Sequence, residues 1–239
     1  METLPLALPL TFVVATALTV GLFYWAARRS RGVLAGLGAW LLLQGAVGLS
    51  GFYTSSHTLP PRLALLLGPP LLVIVGLLTA AAGRRFLDEL RLDGLTLLHV
   101  VRIPVELVLF GLYLHHAVPR LMTFEGRNYD VLAGLTAPLV YFLAFRQQRL
   151  SRRGLLLWNC LGLVSLLNIV GNAVLSVPTP LQQFGFDQPN VAILHFPFVW
   201  LPGVVVPLVL LAHVVAIRRL WAAGAEPVSV RPTDSATAN

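Results

Sequence analysis

The central stretch of the chain, Leu95–Ala117, reads LTLLHVVRIPVELVLFGLYLHHA. It has 23 residues, most of them apolar, which suits a helix that crosses a hydrocarbon core of about 30 Å at about 1.5 Å per residue. Six other runs of similar character flank it, separated by short polar links. The sequence therefore predicts an all-α integral membrane bundle of about seven transmembrane helices, numbered one to seven in chain order. Their predicted bounds are Leu4–Ala26, Val33–Tyr53, Leu63–Gly83, Leu95–Ala117, Val131–Phe145, Leu155–Val177 and Ala192–Ile217.

Composition excludes an ordinary water-soluble fold. The 239 residues are 56% hydrophobic and 11% charged, against about 25% charged in a typical soluble domain. The links are too short for a soluble domain, so residues 1–221 are predicted to form a single transmembrane helical domain. The segment 222–239 is rich in Ala, Pro, Ser and Thr and is predicted to be a disordered cytoplasmic tail.

The distribution of arginine predicts the orientation of the helices. Arginines cluster after predicted helices one, three, five and seven, and only three lie in the intervening links. Because arginine-rich loops stay in the cytoplasm, the N-terminus is predicted outside and the C-terminus in the cytoplasm. This alternation accounts for the formal net charge of +7 without a nucleic-acid partner. The predicted partner is the lipid bilayer.

Two residue counts limit the cofactors. All 17 basic residues are arginine, so retinal, which needs a lysine amine for its Schiff base, is excluded. Cys160 is the single cysteine, which rules out an intramolecular disulfide and a multi-cysteine metal or cluster site. No resident metal is predicted.

Predicted helix four carries a polar stripe. Its members follow one another at spacings of 3, 4, 7 and 3 residues and lie on one side of a helix: His99, Arg102, Glu106, Tyr113 and His116. Arg102 and Glu106 fall near mid-bilayer, where an unpaired charge is costly, and are predicted to form an ion pair. Two hypotheses stay open: a ligand-binding or proton-carrying site facing a cavity, and a structural pair that fixes helix packing.

Predicted helix six carries a second, uncharged stripe that includes Asn168 and Asn172. If helices four and six are neighbours, these amides would complete the hydrogen-bond shell of Arg102 and Glu106. Alternatively, they are ordinary hydrogen-bonding contacts between helices.

Predicted helix seven is interrupted by Pro197, Pro202 and Pro207. Each proline removes a backbone hydrogen bond, so this helix should be bent or partly unwound. Broken helices line the substrate site in many small transporters. A kinked packing helix is the alternative.

The links after predicted helices four and six combine polar and aromatic residues. This pattern predicts ordered segments that cap a cavity opening outward, with solvated loops as the alternative. The predicted cap residues are Glu125, Arg127, Asn128, Asp130, Gln182, Gln183 and Asp187.

Four histidines suggest a b-type haem protein as an alternative. His99 and His213 fall near the cytoplasmic ends of their predicted helices, and His116 and His195 fall near the outer ends. Two antiparallel helices would then offer two bis-imidazole haem sites for electron transfer. Arg102 and Glu106 argue against this hypothesis, because a haem edge prefers apolar walls.

Three stretches carry a resemblance: RIPVEL (Arg102–Leu107), MTFEGRNYDVLAGLTAP (Met122–Pro138), and LQQFGFDQPN with FPFVWLP (Leu181–Asn190 and Phe196–Pro202). They resemble a family of uncharacterised bacterial polytopic membrane proteins, with the likeness running from about Arg102 to Arg218. The resemblance implies residence in the bacterial cytoplasmic (inner) membrane. It implies no activity, ligand or cofactor.

The leading prediction is a multi-pass membrane protein with a polar cavity built on predicted helices four, six and seven. This cavity would bind or transport a small solute or a proton, with Arg102 and Glu106 as its charged centre. A membrane-embedded enzyme acting on a lipid-like substrate is a further alternative, for which Glu125, Asp130 and Asp187 are possible acids or bases. No catalytic spacing supports it, so the sequence predicts neither a reaction nor an oligomeric state.

Overall fold

The computed structural model describes residues 4–55 and 61–225. The protein is all-α and 74% helical, with no β-strand in these ranges. Nine α-helices run through them: α1 Ala7–Ala26, α2 Arg31–Leu49, α3 Ala64–Thr79, α4 Ala81–Glu89, α5 Leu92–Leu98, α6 Arg102–Leu114, α7 Asp130–Tyr141, α8 Arg152–Val174 and α9 Val206–Ala225. The predicted tail beyond residue 225 lies outside the described residues.

Five helical segments are long and apolar enough to cross a membrane. They are α1, α2, α8, the unit Leu92–Leu114 in which a 3₁₀ turn joins α5 to α6, and Leu201–Ala222, which includes most of α9. The pair α3 and α4, bent by 94°, is a sixth candidate. The shorter α7 has 12 residues and continues into a π-helical turn at Phe142–Arg146. An all-α protein with several helices of membrane-spanning length is thus confirmed, while seven spans and their orientation stay predictions.

Large apolar side chains cover the outside of the bundle. Leu10 and Val14 on α1, Leu42 on α2, Leu72 on α3 and Leu161 on α8 are each more than 60% exposed. Soluble monomers rarely expose a continuous apolar surface of this kind. Lipid tails would cover it, which is consistent with a membrane protein.

The interior helices are α9 and the α5–α6 unit. Burial can be compared over an apolar stretch of 18 residues in each segment. The buried share of this stretch is 72% in Leu201–Ala222 and 56% in Leu92–Leu114, against 17% in α2. Val209 and Val215 of α9 share one apolar core with Phe12 of α1 and Leu98 of α5. Polar side chains on the inner faces of α5, α6 and α9 are therefore enclosed by protein.

The third predicted helix ends earlier than expected. α3 stops at Thr79, and α4 leaves it at 94° after Ala80. A Cβ added to Gly83 would lie 2.5 Å from the carbonyl oxygen of Leu77, so the fold-back of α4 onto α3 requires glycine at this position.

The seventh predicted helix begins later than expected. A 3₁₀ turn at Ala192–Leu194 is followed by irregular turns, then by a π-helical turn at Leu201–Val205 that leads into α9. Pro197 lies in the irregular turns and Pro202 in the π-helical turn, as their missing N–H groups predict, whereas Pro207 is the second residue of α9. The irregular backbone is surrounded by protein, with Val204 and Val205 buried.

Candidate functional site

Arg102, at the start of α6, is the centre of a buried hydrogen-bond network. Its side chain is only 4% exposed. The Nη1 atom donates to Oδ1 of Asp130 on α7 at 2.7 Å, and Nη2 donates to Nε2 of His213 on α9 at 2.8 Å. Two residues that are distant in sequence therefore hold one guanidinium.

The neighbours of His213 fix its tautomer. Arginine has only donors, so Nε2 of His213 must accept and the neutral ring carries its proton on Nδ1. This Nδ1 lies 3.0 Å from Oδ1 of Asn159 on α8 and donates to it. The Nδ2 atom of Asn159 donates in turn to the carbonyl of Leu155 at 2.9 Å. Asp130, Arg102, His213 and Asn159 form one connected set across four helices, called here the Arg102 network.

His99 stacks on the Arg102 network. Its ring lies 4.0 Å from that of His213, centroid to centroid, at an interplanar angle of 18°. Trp158 packs edge-on against His99 at 5.4 Å and donates from Nε1 to the hydroxyl of Thr136. Both ring nitrogens of His99 are buried and lack a hydrogen-bond partner among the described residues. The histidine pair is thus sealed inside the protein.

Two glycines allow the network to assemble. A Cβ on Gly162 of α8 would lie 2.5 Å from Cε1 of His213, so the imidazole occupies the space that a larger residue would fill. A Cβ on Gly134 of α7 would lie 3.1 Å from Cβ of Arg102. Small residues at both positions let α7 and α8 approach the polar side chains closely.

The predicted ion pair between Arg102 and Glu106 is not formed, and this prediction is wrong. Glu106 is buried, and its Oε1 accepts from the backbone N–H of Phe124 at 2.6 Å, while its Oε2 accepts from the Nδ2 amide of Asn128. Arg102 is instead held by Asp130. The segment after α6 folds back into the bundle, so the amide groups of Phe124 and Asn128 bind Glu106 in place of the guanidinium of Arg102.

A cavity of about 70 Å³ lies beside these groups. Its polar wall is formed by Arg102, Glu106, Asn128 and Asp130, and its apolar wall by Leu166 and Ile169 of α8 with Pro202 and Val206 at the start of α9. Predicted helices four, six and seven all contribute to it, together with the segment between α6 and α7, the first residue of α7, and Leu67 of α3. Arg102 and Glu106 therefore line one cavity without bonding to each other.

Other predicted site residues lie away from this cavity. Asn168 is exposed and donates to the carbonyl of Arg127 at 2.9 Å, and Asn172 donates to Asn168 one turn earlier. Their hydrogen bonds go to these groups and not to Arg102 or Glu106, which favours the alternative that both residues make ordinary structural contacts. The side-chain amide that binds Glu106 is that of Asn128.

The outer end of the polar stripe belongs to a different environment. Tyr113 lines an open depression of about 580 Å³, and its carbonyl accepts from the side-chain amide of Gln188 at 2.9 Å. His116 is exposed, and its Nδ1 lies 3.1 Å from Oε1 of Gln188. The stripe is therefore split into a buried half and a surface half.

The predicted cap residues also divide into two groups. Asn128 and Asp130 are buried and belong to the interior site. Glu125, Arg127 and Asp187 line the outer depression. Gln182 and Gln183 hold their own segment in place through hydrogen bonds to backbone carbonyls: the side-chain amide of Gln182 donates to Phe184, and the backbone N–H of Gln183 donates to Leu175.

His99 and His213 do not have the geometry of two axial ligands of one haem. His99 and His213 stack face to face, whereas two axial ligands point their nitrogens at one iron from opposite sides. Both nitrogens of His213 are also engaged, and His116 is held by Gln188. Within residues 4–55 and 61–225, no group of three or more His, Cys, Asp or Glu side chains is placed to hold a metal ion.

Two members of the network, Asn159 and His213, were not assigned to the charged centre from the sequence. A signal for Asn159 exists, because it shares with Gly162, Leu166 and Ile169 a helical spacing of three to four residues that marks the buried face of α8. His213 has no comparable local signal, since its partners lie on other helices.

Asn159→Ala should lower the free energy of unfolding by about 1–3 kcal/mol, because Nδ1–H of His213 loses its acceptor in a buried site. Asn168→Ala removes a similar hydrogen bond at an exposed position and should cost about 0.6 kcal/mol or less. Denaturant unfolding of both purified variants in one detergent would compare them. Equal losses of unfolding free energy in the two variants would show that the buried hydrogen bond to His213 stabilises the protein no more than an exposed one.

A charged network enclosed by apolar helices of membrane-spanning length defines the class: the chain is consistent with a helical membrane protein that has a polar interior site. The chain belongs to the family described as Domain of unknown function (DUF8737), whose profile matches residues 60–221. No curated protein and no solved structure shows a significant match. The matched range contains the whole Arg102 network and Glu106 and excludes α1 and α2. Resemblance to an uncharacterised family is thereby confirmed, and bacterial origin stays a prediction.

Proposed function

We propose that this protein is a multi-pass transport protein that binds a proton at Glu106 and uses it to move protons, or a small solute with them, across the membrane. The observation that supports the proposal is the charge around the 70 Å³ cavity. The cavity is lined by one cation, Arg102, and two carboxylates, Asp130 and Glu106. Because Asp130 neutralises Arg102, Glu106 has no cationic partner there.

The environment of Glu106 balances its two protonation states. Burial away from a cation favours the neutral acid, since an isolated carboxylate is expensive in a low-dielectric interior. Hydrogen bonds from the N–H of Phe124 and the amide of Asn128 favour the carboxylate. Opposing effects of this kind suit a group that takes up and releases a proton during a cycle.

The size of the cavity favours a proton over an organic solute in this conformation. About 70 Å³ holds several water molecules, each of which needs roughly 10–15 Å³. Glu106 and Asn128 line the cavity, whose surface is otherwise mainly apolar, so only a few of these waters would have a polar partner there. In the predicted orientation, in the bacterial inner membrane with the N-terminus outside, these waters would connect Glu106 to the outer segments.

Proton flux measures this function directly. Purified protein is reconstituted into vesicles that contain a pH-sensitive dye, and a potassium diffusion potential drives proton entry. Wild-type vesicles should acidify faster than empty ones. Glu106→Gln keeps the shape of the side chain but cannot ionise, and should reduce the rate to that of empty vesicles.

Glu125→Gln is the matched control. Glu125 is 41% exposed in the outer segment, 3.7 Å from Arg120, and does not line the interior cavity. This variant should acidify at the wild-type rate. Wild-type flux through Glu106→Gln vesicles would overturn the proposal.

A further inference from the structure

A second cavity, of about 370 Å³, lies between α2, α3 and α9. Its walls are apolar and include Gly36, Leu37 and Trp40 of α2, Val73 and Leu77 of α3, and Leu208 of α9. The indole N–H of Trp40 already donates to the carbonyl of Gly203 at 2.9 Å. This cavity, called here the α2–α3–α9 groove, shares no lining residue with the Glu106 cavity. Its apolar walls suit a hydrocarbon chain.

The groove faces the region that lipid occupies. α2 is the least buried of the five membrane-length segments, so one side of the groove stands away from the core. Val73 is 60% exposed, and its neighbour Leu72 is 72% exposed. A lipid tail beside the bundle therefore has direct access to the groove.

Arginines mark one end of the groove. Leu77 lines this end, and Gly83 packs on the backbone of Leu77 where α4 folds back. Arg84 and Arg85 follow Gly83 immediately and are exposed. Arg31, also exposed, begins α2 five residues before Gly36.

Two hydrogen bonds place the turn between α1 and α2 at the same end of the bundle as α4. The N–H of Arg91, just after α4, donates to the carbonyl of Ala26 at 2.9 Å, and Nε of Arg28 donates to the carbonyl of Glu89 at 2.7 Å. The turn between α1 and α2 thus contacts the end of α4.

The acids of α4 are Asp88 and Glu89, and the Nη1 atom of Arg84 donates to the carbonyl of Thr79. Among the described residues, Arg31, Arg84 and Arg85 form no ion pair, and Asp88 of the same helix is paired with Arg218. Exposed positive charge therefore stands beside an apolar groove.

We propose that the α2–α3–α9 groove binds one anionic phospholipid. Its acyl chain would lie against Trp40 and Leu208, and its headgroup phosphate would be bound by Arg31, Arg84 and Arg85. Guanidinium groups bind phosphate through paired hydrogen bonds, and basic residues near the membrane surface favour anionic lipids. Burial of the acyl chain adds affinity in proportion to the apolar area covered. This site is independent of the proton site at Glu106.

Native mass spectrometry of the full chain in detergent tests the headgroup contacts, with phosphatidylglycerol and phosphatidylcholine added in equal amounts. Wild type should bind phosphatidylglycerol preferentially. The double variant R84Q/R85Q should lower this preference roughly 30-fold, since each arginine near an anionic headgroup contributes about fivefold. R149Q/R153Q removes the same charge at exposed positions elsewhere and should keep the preference.

A glycine pair tests the groove itself. Gly36→Leu adds a side chain at a groove position where a Cβ meets nothing within 4 Å, so it should occupy part of the groove and reduce the binding of both lipids. Gly38→Leu has equal space on the same helix, does not line the groove and should bind as wild type. Equal binding of the two lipids by wild type, or unchanged binding by Gly36→Leu, would overturn the proposal.

Discussion

Replacing Arg102 with leucine should lower the free energy of unfolding by about 3–5 kcal/mol, the cost of breaking a buried ion pair by removing one partner. Asp130 would keep a buried charge without its cation, and Nε2 of His213 would lose its donor. The change should appear in denaturant unfolding of the purified protein.

The double variant R102L/D130L separates a lost ion pair from a general loss of packing. Removal of both charges leaves no uncompensated charge, so much of the lost stability should return, although Nε2 of His213 still lacks its donor. Arg120→Gln is the matched control, because Arg120 is 65% exposed and lies 3.7 Å from Glu125. A surface pair of this kind is worth about 1 kcal/mol or less. If Arg102→Leu and Arg120→Gln were equally stable, the Arg102 network would not hold the helices together.

Gly162→Ala should lower the free energy of unfolding by about 1–3 kcal/mol, because it overpacks the space next to His213. The new Cβ would lie 2.5 Å from Cε1 of the imidazole, which must move. Movement of the ring stretches its hydrogen bonds to Arg102 and Asn159 together. The same unfolding assay measures the loss.

Gly171→Ala provides the comparison within the same helix. A Cβ at Gly171 meets nothing within 4 Å, and alanine is favoured over glycine in a helix by about 1 kcal/mol. This variant should therefore be as stable as wild type or more stable. If Gly162→Ala were as stable as Gly171→Ala, the close contact between α8 and His213 would be contradicted.

Composition and run length were enough to predict the fold class. The unit Leu92–Leu114 was found nearly in full, because 23 mainly apolar residues suit a membrane-spanning helix. Arg102 was also identified from the sequence, since a charge inside such a run stands out. The unwinding before α9 followed from Pro197 and Pro202. These features depend on local sequence alone.

The partners of Arg102 depended on tertiary contacts. The spacing rule for helices pointed to Glu106, four residues away, but the partners found are Asp130 at a separation of 28 residues and His213 at 111. Asp130 was predicted in an outer link, because the sequence does not show that the segment before α7 folds into the bundle. The bend after Ala80 was missed for a related reason, since no proline marks it.

The direction of the hydrogen bonds around Arg102 limits how a proton can travel. A guanidinium donates on every side and does not release its proton, so Arg102 interrupts any proton wire between Glu106 and the two histidines. A proton wire that runs through Arg102 is therefore closed in this conformation. For a proton to pass by this route from Glu106 to the opposite side, the guanidinium must first break its hydrogen bond to Asp130 or to His213. If Glu106 carries protons as proposed, transport would proceed in alternating steps that depend on the hydrogen bonds of Arg102.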